Sequence, residues 1–479
     1  MNSFTSSNLI RLLKSFTKEE IKELEKFIIS PFHNNRNVVT RFFLEIKKYY
    51  PAFEHKDFSK EKVFTNLYPK EKYRDDVIRR LSSNLFKLCE EYGAYKIYRQ
   101  EEFNYNRYLQ EFHLTKSIDP IYLKHQKRTE NYIEKQPLRD AKYFLNVNFL
   151  EEYRRIHQIK SDPLGKKISV QKQIDSVWKF AIITLMRLYK IGIEQTKQFN
   201  KKYNLVQLEM LLKIIENSDF IKSKAVEIWY LLINFQRDGR NTRTFNSLKE
   251  LLKKNFHIFD PVESFIIHVS LLSYCYDMNV IPSKEFHKEE FEIIFQMFNA
   301  DLLMDGDTMY SEWFMYAFIT SVRAGEIKFA EKFLNDYKSK IHHKERENVI
   351  NHANAELAFE KGDFNAALKY LSVPKYNNIG EKLRANQMYI KIYYELQLSE
   401  PFFYSVDSYR HYIKDEASLS QEVKVLRENF ISFTSRLFKI RINETSTTIK
   451  QLKKEIMNSK ILGGKWLLSK VAELEKEKK

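Results

Sequence analysis

Apolar residues recur at intervals of three and four along most of the chain, which is the spacing of one buried face on an α-helix. The first clear example covers residues 21–28 and follows Thr17, whose spacing to Glu20 predicts a capping box at the start of a helix. Further stripes of this kind run from Val38 to Tyr50 and from Tyr73 to Tyr92. The pattern predicts an N-terminal helical module over residues 1–105.

The middle of the chain keeps this spacing but carries more charge, so we expect a basic helical linking region over residues 106–205. Its clearest break is Ser161-Asp-Pro-Leu-Gly165, where proline and glycine stand close together. A stripe of large apolar residues beyond the break predicts a long packed helix: Trp178, Ile182, Leu185, Tyr189 and Ile193. The whole chain has only 10 glycines and 10 prolines, which favours an all-α fold with short connections.

One ten-residue pattern occurs twice. The sequence from Gly325 to Leu334 returns from Gly362 to Leu371, with glycine, acid, alanine, aromatic and leucine at matching positions 37 residues later (362 − 325). A further step of 37 reaches Ser399-Glu-Pro401 and puts Tyr404 where the other copies have alanine. Small turn residues followed by alanine at helical spacing are typical of packed helix-turn-helix repeats.

The stretch from Asn351 to Leu371 resembles the tetratricopeptide repeat. In that family a small residue on the first helix meets an alanine twelve residues later on the second, and Ala355 and Ala367 have this spacing. Gly362, Phe364 and Leu371 also stand where the family has its turn glycine, its aromatic residue and a large residue of the second helix. The residues expected to pack the repeats together are Gly325, Ala330, Leu334, Ala355, Gly362, Ala367 and Leu371.

This resemblance implies a right-handed stack of helical hairpins with a groove that binds peptides or proteins. We therefore predict an all-α fold, a tetratricopeptide-like helical-repeat solenoid with an N-terminal helical module. The repeats would occupy residues 206–445, and capping helices would cover residues 446–479. Aligned on Ala355, the family pattern implies that four side chains of a first helix face the groove: His352, Glu356, Phe359 and Glu360.

The net charge of +17 is uneven along the chain. Lys plus Arg exceed Asp plus Glu by 6 in residues 1–110 (21 − 15), by 8 in residues 111–210 (19 − 11) and by 3 in the remainder (40 − 37). A basic surface can bind nucleic acid, and the surplus here mixes with tyrosines that could stack on bases. The same composition, rich in Lys, Asn, Ile, Phe and Tyr, is also typical of an AT-rich genome, and basic faces are often only solvated.

Nucleic-acid binding through the first 210 residues is therefore the alternative interpretation. Residues 58–92 resemble the helical part of bacterial winged-helix regulators, with Arg79 and Arg80 on the recognition helix. Further along, Lys127 and Arg128 are candidate phosphate contacts. The sequence has no alternating strand pair to form the wing.

No local motif indicates catalysis, since the chain lacks a Gly-x-Ser-x-Gly elbow and a His-Glu-x-x-His pair. We expect no enzyme activity, cofactor or metal. The stretch from Asp301 to Glu312 resembles a calcium loop, but Leu303 supplies no oxygen at its third position. Cys89 and Cys275 lie in apolar helical patterns and are expected to be buried thiols.

The longest apolar run, from Phe180 to Met186, is far shorter than the roughly 20 residues that span a bilayer. No signal-peptide pattern is evident at the start of the sequence. We therefore expect a cytoplasmic protein without a membrane partner. The predicted function is that of a non-catalytic adaptor or scaffold that binds a peptide or protein partner.

Overall fold

The computed structural model describes residues 4–162, 164–166, 168–199, 202–237, 239–373, 376, 379–445 and 447–477. These residues are helical apart from turns and one two-residue hairpin of strands, which confirms the all-α class. The chain forms two compact units. The first unit is Met1–Gln136 with Asn146–Gln173, and the second is Pro137–Leu145 with Ile174–Lys479. The predicted region 106–205 is therefore divided between both.

The first unit is built from α1 (Asn8–Ser15), α2 (Lys18–Ile29), α3 (Asn37–Lys47), α4 (Lys60–Leu67), α5 (Asp75–Gln100), α6 (Glu102–Thr115), α7 (Asp119–Lys135) and most of α8 (Ala141–Ser161). The predicted capping box opens α2, since Glu20 N donates to Thr17 Oγ1 at 3.1 Å and Thr17 N donates to Glu20 Oε2 at 2.7 Å. Helix α5 runs eight residues beyond the predicted end at Tyr92. Residues of α1 to α5 share one apolar core that includes Leu24, Phe42, Ile78 and Leu85.

The second unit holds most of α9 (Gln171–Phe199) and then α10 (Val206–Glu216), α11 (Lys224–Arg237), α12 (Thr242–Asn255), α13 (Pro261–Asn279), α14 (His287–Asn299), β1 (Met304–Asp305), β2 (Thr308–Met309), α15 (Ser311–Arg323), α16 (Ile327–Tyr337), α17 (His343–Glu360), α18 (Phe364–Ser372), α19 (Ile379–Glu395), α20 (Ser399–Asp415), α21 (Gln421–Arg441), α22 (Ile449–Met457) and α23 (Gly464–Glu477). Consecutive helices pack as pairs, among them α15 with α16, α17 with α18 and α19 with α20. Neighbouring pairs also contact each other: α15 packs against α17, and α18 packs against α19.

The predicted break near residue 163 lies between α8 and α9, although Pro163 itself is outside the described residues. The predicted stripe on α9 is only partly buried. Ile182 is fully buried, whereas Trp178 and Leu185 remain 40% and 39% exposed. The stretch that resembles a calcium loop does not have the conformation of one. Its residues form the hairpin of β1 and β2, and Leu303 is buried.

Four helix pairs share one turn of three residues, namely α6–α7, α15–α16, α17–α18 and α19–α20. The middle residue of each turn has a left-handed backbone, with φ of 54° at Ser117, 86° at Gly325, 79° at Gly362 and 57° at Gln397. The next amide donates to a carbonyl five residues back in every case, for example Asp363 N to Ala358 O at 2.9 Å. This is the Schellman arrangement that satisfies the last carbonyls of a helix.

The same turn also sets which positions of the two helices are buried in each pair. Counting seven residues before the left-handed residue and five after it gives a couple that is at most 1% exposed in all four pairs: Gln110 and Tyr122, Phe318 and Ala330, Ala355 and Ala367, Ile390 and Phe402. The sequence pattern puts the third turn at Ser399-Glu-Pro401, which is wrong by two residues. Phe402 therefore takes the buried place, and Tyr404, expected there, is 76% exposed.

Replacing Gly362 by alanine is expected to destabilise the protein by about 1 kcal/mol, because a Cβ disfavours the left-handed backbone. The added methyl would meet no atom within 4 Å, so the loss would be that of backbone strain alone. Chemical unfolding of the full chain measures it. Gly192→Ala is the matched control, since Gly192 lies inside α9 with space for a Cβ, and this variant should be neutral or stabilising. Equal effects of the two variants would contradict the turn argument.

Candidate functional site

The first helices of neighbouring pairs present a row of ionisable side chains, which we call the charged face: Glu312, Arg323, His352, Glu356, Glu360, Glu381, Arg384, Lys391 and Arg427. These residues come from α15, α17, α19 and α21. Apolar side chains pack beneath this face, as Ala355 of α17 does in the cluster that contains Met388 of α19. The packing of these helices therefore brings together charges that are up to 115 residues apart in the chain (427 − 312).

On α17 the structure separates the four residues that were expected to face a groove. His352 and Phe359 are 4% and 7% exposed, so neither ring is open to a ligand, and His352 acts only as the neighbour of Glu356. Glu356 is partly exposed and Glu360 is exposed, so these two offer their carboxylates to a ligand. Burial opposes ionisation of Glu356, but His352, whose Nε2 is 3.7 Å from Oε1, helps to hold the pKa of this carboxyl below its ordinary value.

Glu360 shows that the charged face is recessed. Its side chain reaches solvent, yet burial raises the pKa of this carboxyl, with Lys391 opposing the shift and Glu356 adding to it. Burial likewise lowers the pKa of Lys391, where Glu356 and Glu360 favour the charge and Arg323 disfavours it. Groups that are solvated on one side and desolvated on the other are typical of the wall of a groove.

Two arginines of the charged face have donors without a protein partner. Among the described residues, the buried Nε atoms of Arg384 on α19 and Arg427 on α21 find no hydrogen-bond acceptor, although Arg427 Nη1 donates to Tyr409 OH at 2.6 Å. Burial and the charge of Arg427 lower the pKa of Arg384, while Glu381, Glu356 and Glu312 oppose this. Guanidinium donors left over in this way suit a carboxylate ligand.

A segment near the C-terminus, residues 459–464, contacts both the end of α13 and helix α21. Ile461 N donates to Val280 O at the end of α13 at 2.7 Å, and Asn429 Nδ2 of α21 donates to Lys460 O at 2.9 Å. The side chain of Ile461 is fully buried. A Cβ on Gly464 would lie 2.9 Å from Pro282 Cγ, so this position requires glycine. The helix that follows covers one end of the charged face.

That helix, α23, is anchored on α19. Trp466 Nε1 donates to Glu395 Oε1 at 2.9 Å, and Lys470 Nζ lies 2.8 Å from the same oxygen. Lys391 Nζ stands 5.6 Å from the Trp466 ring centroid, within the range of a cation–π contact. The carboxylate of Glu395 is thereby satisfied, which leaves Lys391 facing Glu356 and Glu360.

A second candidate surface, the basic stripe, lies on α7 in the first unit. Its residues recur at three- and four-residue steps and line an open cleft of about 500 Å³: Lys124, Lys127, Arg128, Asn131, Tyr132 and Lys135. Two of them, Lys127 and Arg128, are candidate phosphate contacts from the sequence. Among the described residues, Arg128 lies 3.9 Å from Glu102, and none of Lys124, Lys127 and Lys135 forms an ion pair.

Arg79 and Arg80 stand on α5 and are exposed, as a recognition helix would require. Arg79 Nε, however, pairs with Asp75 Oδ2 at 2.6 Å on the same helix. Within the described residues, strands occur only at β1 and β2 in the second unit, so the first unit holds no wing there. The structure thus brings Lys127 and Arg128 into one cleft and places Arg79 and Arg80 on another helix.

The buried residues of α6 and α7 include several polar side chains beside apolar ones such as Tyr122 and Ile133. Gln110 and Thr129 are 1% and 0% exposed and joined by a 3.0 Å hydrogen bond. The rings of His113 and His125 are 5.0 Å apart, and neither nitrogen of His113 has a hydrogen-bond partner among the described residues. Such a layer is held less firmly than an apolar one, because unpaired buried polar groups cost stability.

The sequence analysis did not identify the charged residues of α15, α19 and α21 as part of a site. Their positions relative to the turns could have indicated it. Six residues before the left-handed turn residue stand Glu356 on α17 and Lys391 on α19, and two residues before it stand Arg323 on α15 and Glu360 on α17. Opposite charges thus occupy equivalent positions on adjacent helices.

The remaining predictions from the sequence concern packing. Ala330, Ala355, Ala367 and Leu371 are fully buried, and Leu334 is 6% exposed. Cys89 and Cys275 are buried free thiols, as predicted. Burial raises the pKa of Cys89 to about 12, so this thiol is not a nucleophile at neutral pH.

Lowering the pH from about 7 to about 5 is expected to destabilise the first unit. Burial, with the charges of His113, Arg128 and Lys124, lowers the pKa of His125 below its ordinary value of about 6.5. The unfolded chain therefore binds the proton first, so the contribution of neutral His125 is complete above about pH 6.5 and is lost as the pH falls. Urea unfolding at several pH values measures this.

The variant His125→Gln should show a smaller loss over the same pH range. His411→Gln is its control, because His411 is exposed on α20 and should leave the dependence unchanged. An unaltered pH dependence in His125→Gln would contradict the assignment.

None of the helices in the described part of the chain combines the length and the apolar character needed to cross a bilayer. No protein-family model, curated protein or solved structure matches this chain.

Proposed function

We propose that this protein is a non-catalytic adaptor whose second unit is a tetratricopeptide-like solenoid and binds a peptide segment on the charged face. The ligand carries at least one carboxylate, from an acidic side chain or a C-terminus. The observation that carries the proposal is the pair of buried Nε donors on Arg384 and Arg427, which have no protein partner among the described residues. The buried thiols suit a reducing compartment, and we place the adaptor in the cytoplasm.

The balance of charge supports a peptide over nucleic acid as the ligand of this face. Acids and bases alternate there, and Glu356 and Glu360 would repel a phosphate backbone. A peptide can match both signs along its length, with a carboxylate at Arg384 and a basic group at Glu360. Because packed helices hold these side chains in place before the ligand arrives, little conformational entropy would be lost on binding.

We expect phage display of random short peptides against the full chain to enrich sequences with an acidic residue or a free acidic C-terminus. Synthetic peptides from the selection, compared with versions in which the carboxylates are amides, provide the quantitative probe. Arg384→Gln should weaken binding of the acidic peptide by about tenfold or more, the loss of one charge-assisted hydrogen bond. Titration calorimetry measures both affinities.

Arg410→Gln is the matched control, since it removes a partly exposed arginine of α20 whose partners are Asp407 and Glu428. This variant should bind the peptide as the unmodified chain does. The proposal fails if no peptide is enriched, if the amide versions bind equally well, or if Arg384→Gln and Arg410→Gln have the same effect.

The basic stripe supports a second function, nucleic-acid binding by the first unit. Four cations on one face of α7, beside Asn131 and Tyr132, provide the electrostatic footprint that phosphate contacts need. The polar layer below would let α7 adjust to a bound strand.

Changing Lys124, Lys127 and Lys135 together to glutamine should then reduce binding of mixed-sequence DNA in a mobility-shift assay at about 50 and 200 mM salt. The salt slope should fall by about 1 for each phosphate contact that is lost. A triple change of Lys18, Lys22 and Lys26 to glutamine is the control, because these exposed lysines form a stripe of equal charge on α2. Equal losses in both triples would indicate an effect of net charge only, and absence of any shift would exclude this function.

A further inference from the structure

Two helix starts meet in the second unit and place their capping carboxylates side by side. Asp140 Oδ1 accepts a hydrogen bond from Tyr143 N at 2.7 Å at the start of α8. Asp260 Oδ1 accepts one from Glu263 N at 2.9 Å at the start of α13. The two segments are joined by Arg139 N, which donates to Ile258 O at 2.7 Å. Each capping bond uses one carboxylate oxygen, and each carboxylate has a second.

A third carboxylate points into the same place without a hydrogen-bond partner. Glu263 is 1% exposed, and neither of its carboxylate oxygens has a hydrogen-bond partner among the residues that the structure describes. Glu263 stands three residues after the cap at Asp260, where a glutamate can bond back to the cap amide, but its carboxylate makes no such bond. A buried carboxylate in this state is costly unless a proton or a cation completes it.

The three groups together have the dimensions of a cation site. Oxygens of Asp140, Asp260 and Glu263 all lie within 4.8 Å of one another. Ligands of one Ca²⁺ stand about 2.3–2.6 Å from the ion, so their mutual distances reach at most about 5 Å. Ligands of Mg²⁺ at about 2.0–2.1 Å require a tighter cluster. Three carboxylates without nitrogen or sulfur select a hard cation.

The charge balance points the same way. Arg187 lies beside the cluster, with its Nη1 3.6 Å from Glu263 Oε1, beyond hydrogen-bond distance. Arg187 alone would leave two of the three negative charges uncompensated. Lys142 favours the charge of Asp140, but from an exposed position. Burial and the charges of Asp260 and Asp140 raise the pKa of Glu263 to about 8 when no cation is present. A divalent ion together with Arg187 would match the three carboxylates.

We propose that Asp140, Asp260 and Glu263 bind one divalent cation, Ca²⁺ in preference to Mg²⁺, and that the ion joins the start of α8 to the start of α13. The site is structural, because the carboxylates are largely buried and the ion would fix two helix ends. It is independent of the charged face and of the basic stripe.

Calorimetric titration of the chelator-treated full chain with CaCl₂ tests this directly, with MgCl₂ as the competing ion. We expect one Ca²⁺ per chain, weaker binding of Mg²⁺, and a rise of several degrees in the thermal unfolding midpoint on adding Ca²⁺. Asp140→Asn keeps an oxygen for the cap but removes the charge, and it should abolish both effects. Glu263→Gln should do the same.

Two controls separate Ca²⁺ binding at this cluster from binding elsewhere on the chain. Asp363→Asn makes the same change at the cap of α18, where Asp363 Oδ1 accepts from Ala366 N, and should leave Ca²⁺ binding intact. Asp305→Asn alters the stretch that resembles a calcium loop and should also leave it intact. The proposal is overturned if the unmodified chain binds no Ca²⁺, in which case a proton completes Glu263. It is equally overturned if binding persists in Asp140→Asn and Glu263→Gln.

Discussion

The constraint on which the helix pairs from α15 to α20 depend is the three-residue turn with a left-handed residue at its centre. It reverses the chain within hydrogen-bonding distance of the helix it ends, so the second helix of a pair has little freedom in where it starts. In all four pairs the position seven residues before the turn residue and the position five residues after it are both buried. Ala355 with Ala367 and Ile390 with Phe402 fill that space differently, yet both couples are fully buried. The turn sets the geometry, and the side chains adapt to it.

The charged face follows from this geometry. Because each turn sets the rotation of its helices, side chains at equal distances before the turn stand beside each other on adjacent helices, and Glu356 meets the charge of Lys391 in this way. A buried charge without a partner loses more free energy on desolvation than its packing contributes. The acids and bases of this face must therefore compensate each other. The arrangement leaves the arginine donors of α19 and α21 as the unfilled part. The segment 459–464 and Trp466 tie the same helices together, through Asn429 of α21 and Glu395 of α19.

The pair α6–α7 in the first unit shows what the same turn does with different residues. Ser117 adopts the left-handed backbone there, and Gln110 and Tyr122 take the places of the two alanines. Polar groups in this layer need partners that an apolar layer does not, and several of them lack one among the described residues. The same turn thus supports a couple of two alanines in one unit and a couple that includes a polar side chain in the other.

The amino-acid sequence by itself determined the helical class and the capping box at Thr17, because periodicity and capping are local properties of the chain. It also marked the turns at Gly325 and Gly362, where glycine relieves a backbone that other residues resist. It missed the turn at Ser117 and placed the turn at Gln397 two residues too late, since tertiary packing can impose the left-handed backbone on a residue with no preference for it. Only the tertiary structure decided which charges share the face from α15 to α21, and only it brought Asp140 to Glu263. Those groups are far apart in the chain, and their spacing depends on how helices pack, which no local pattern encodes.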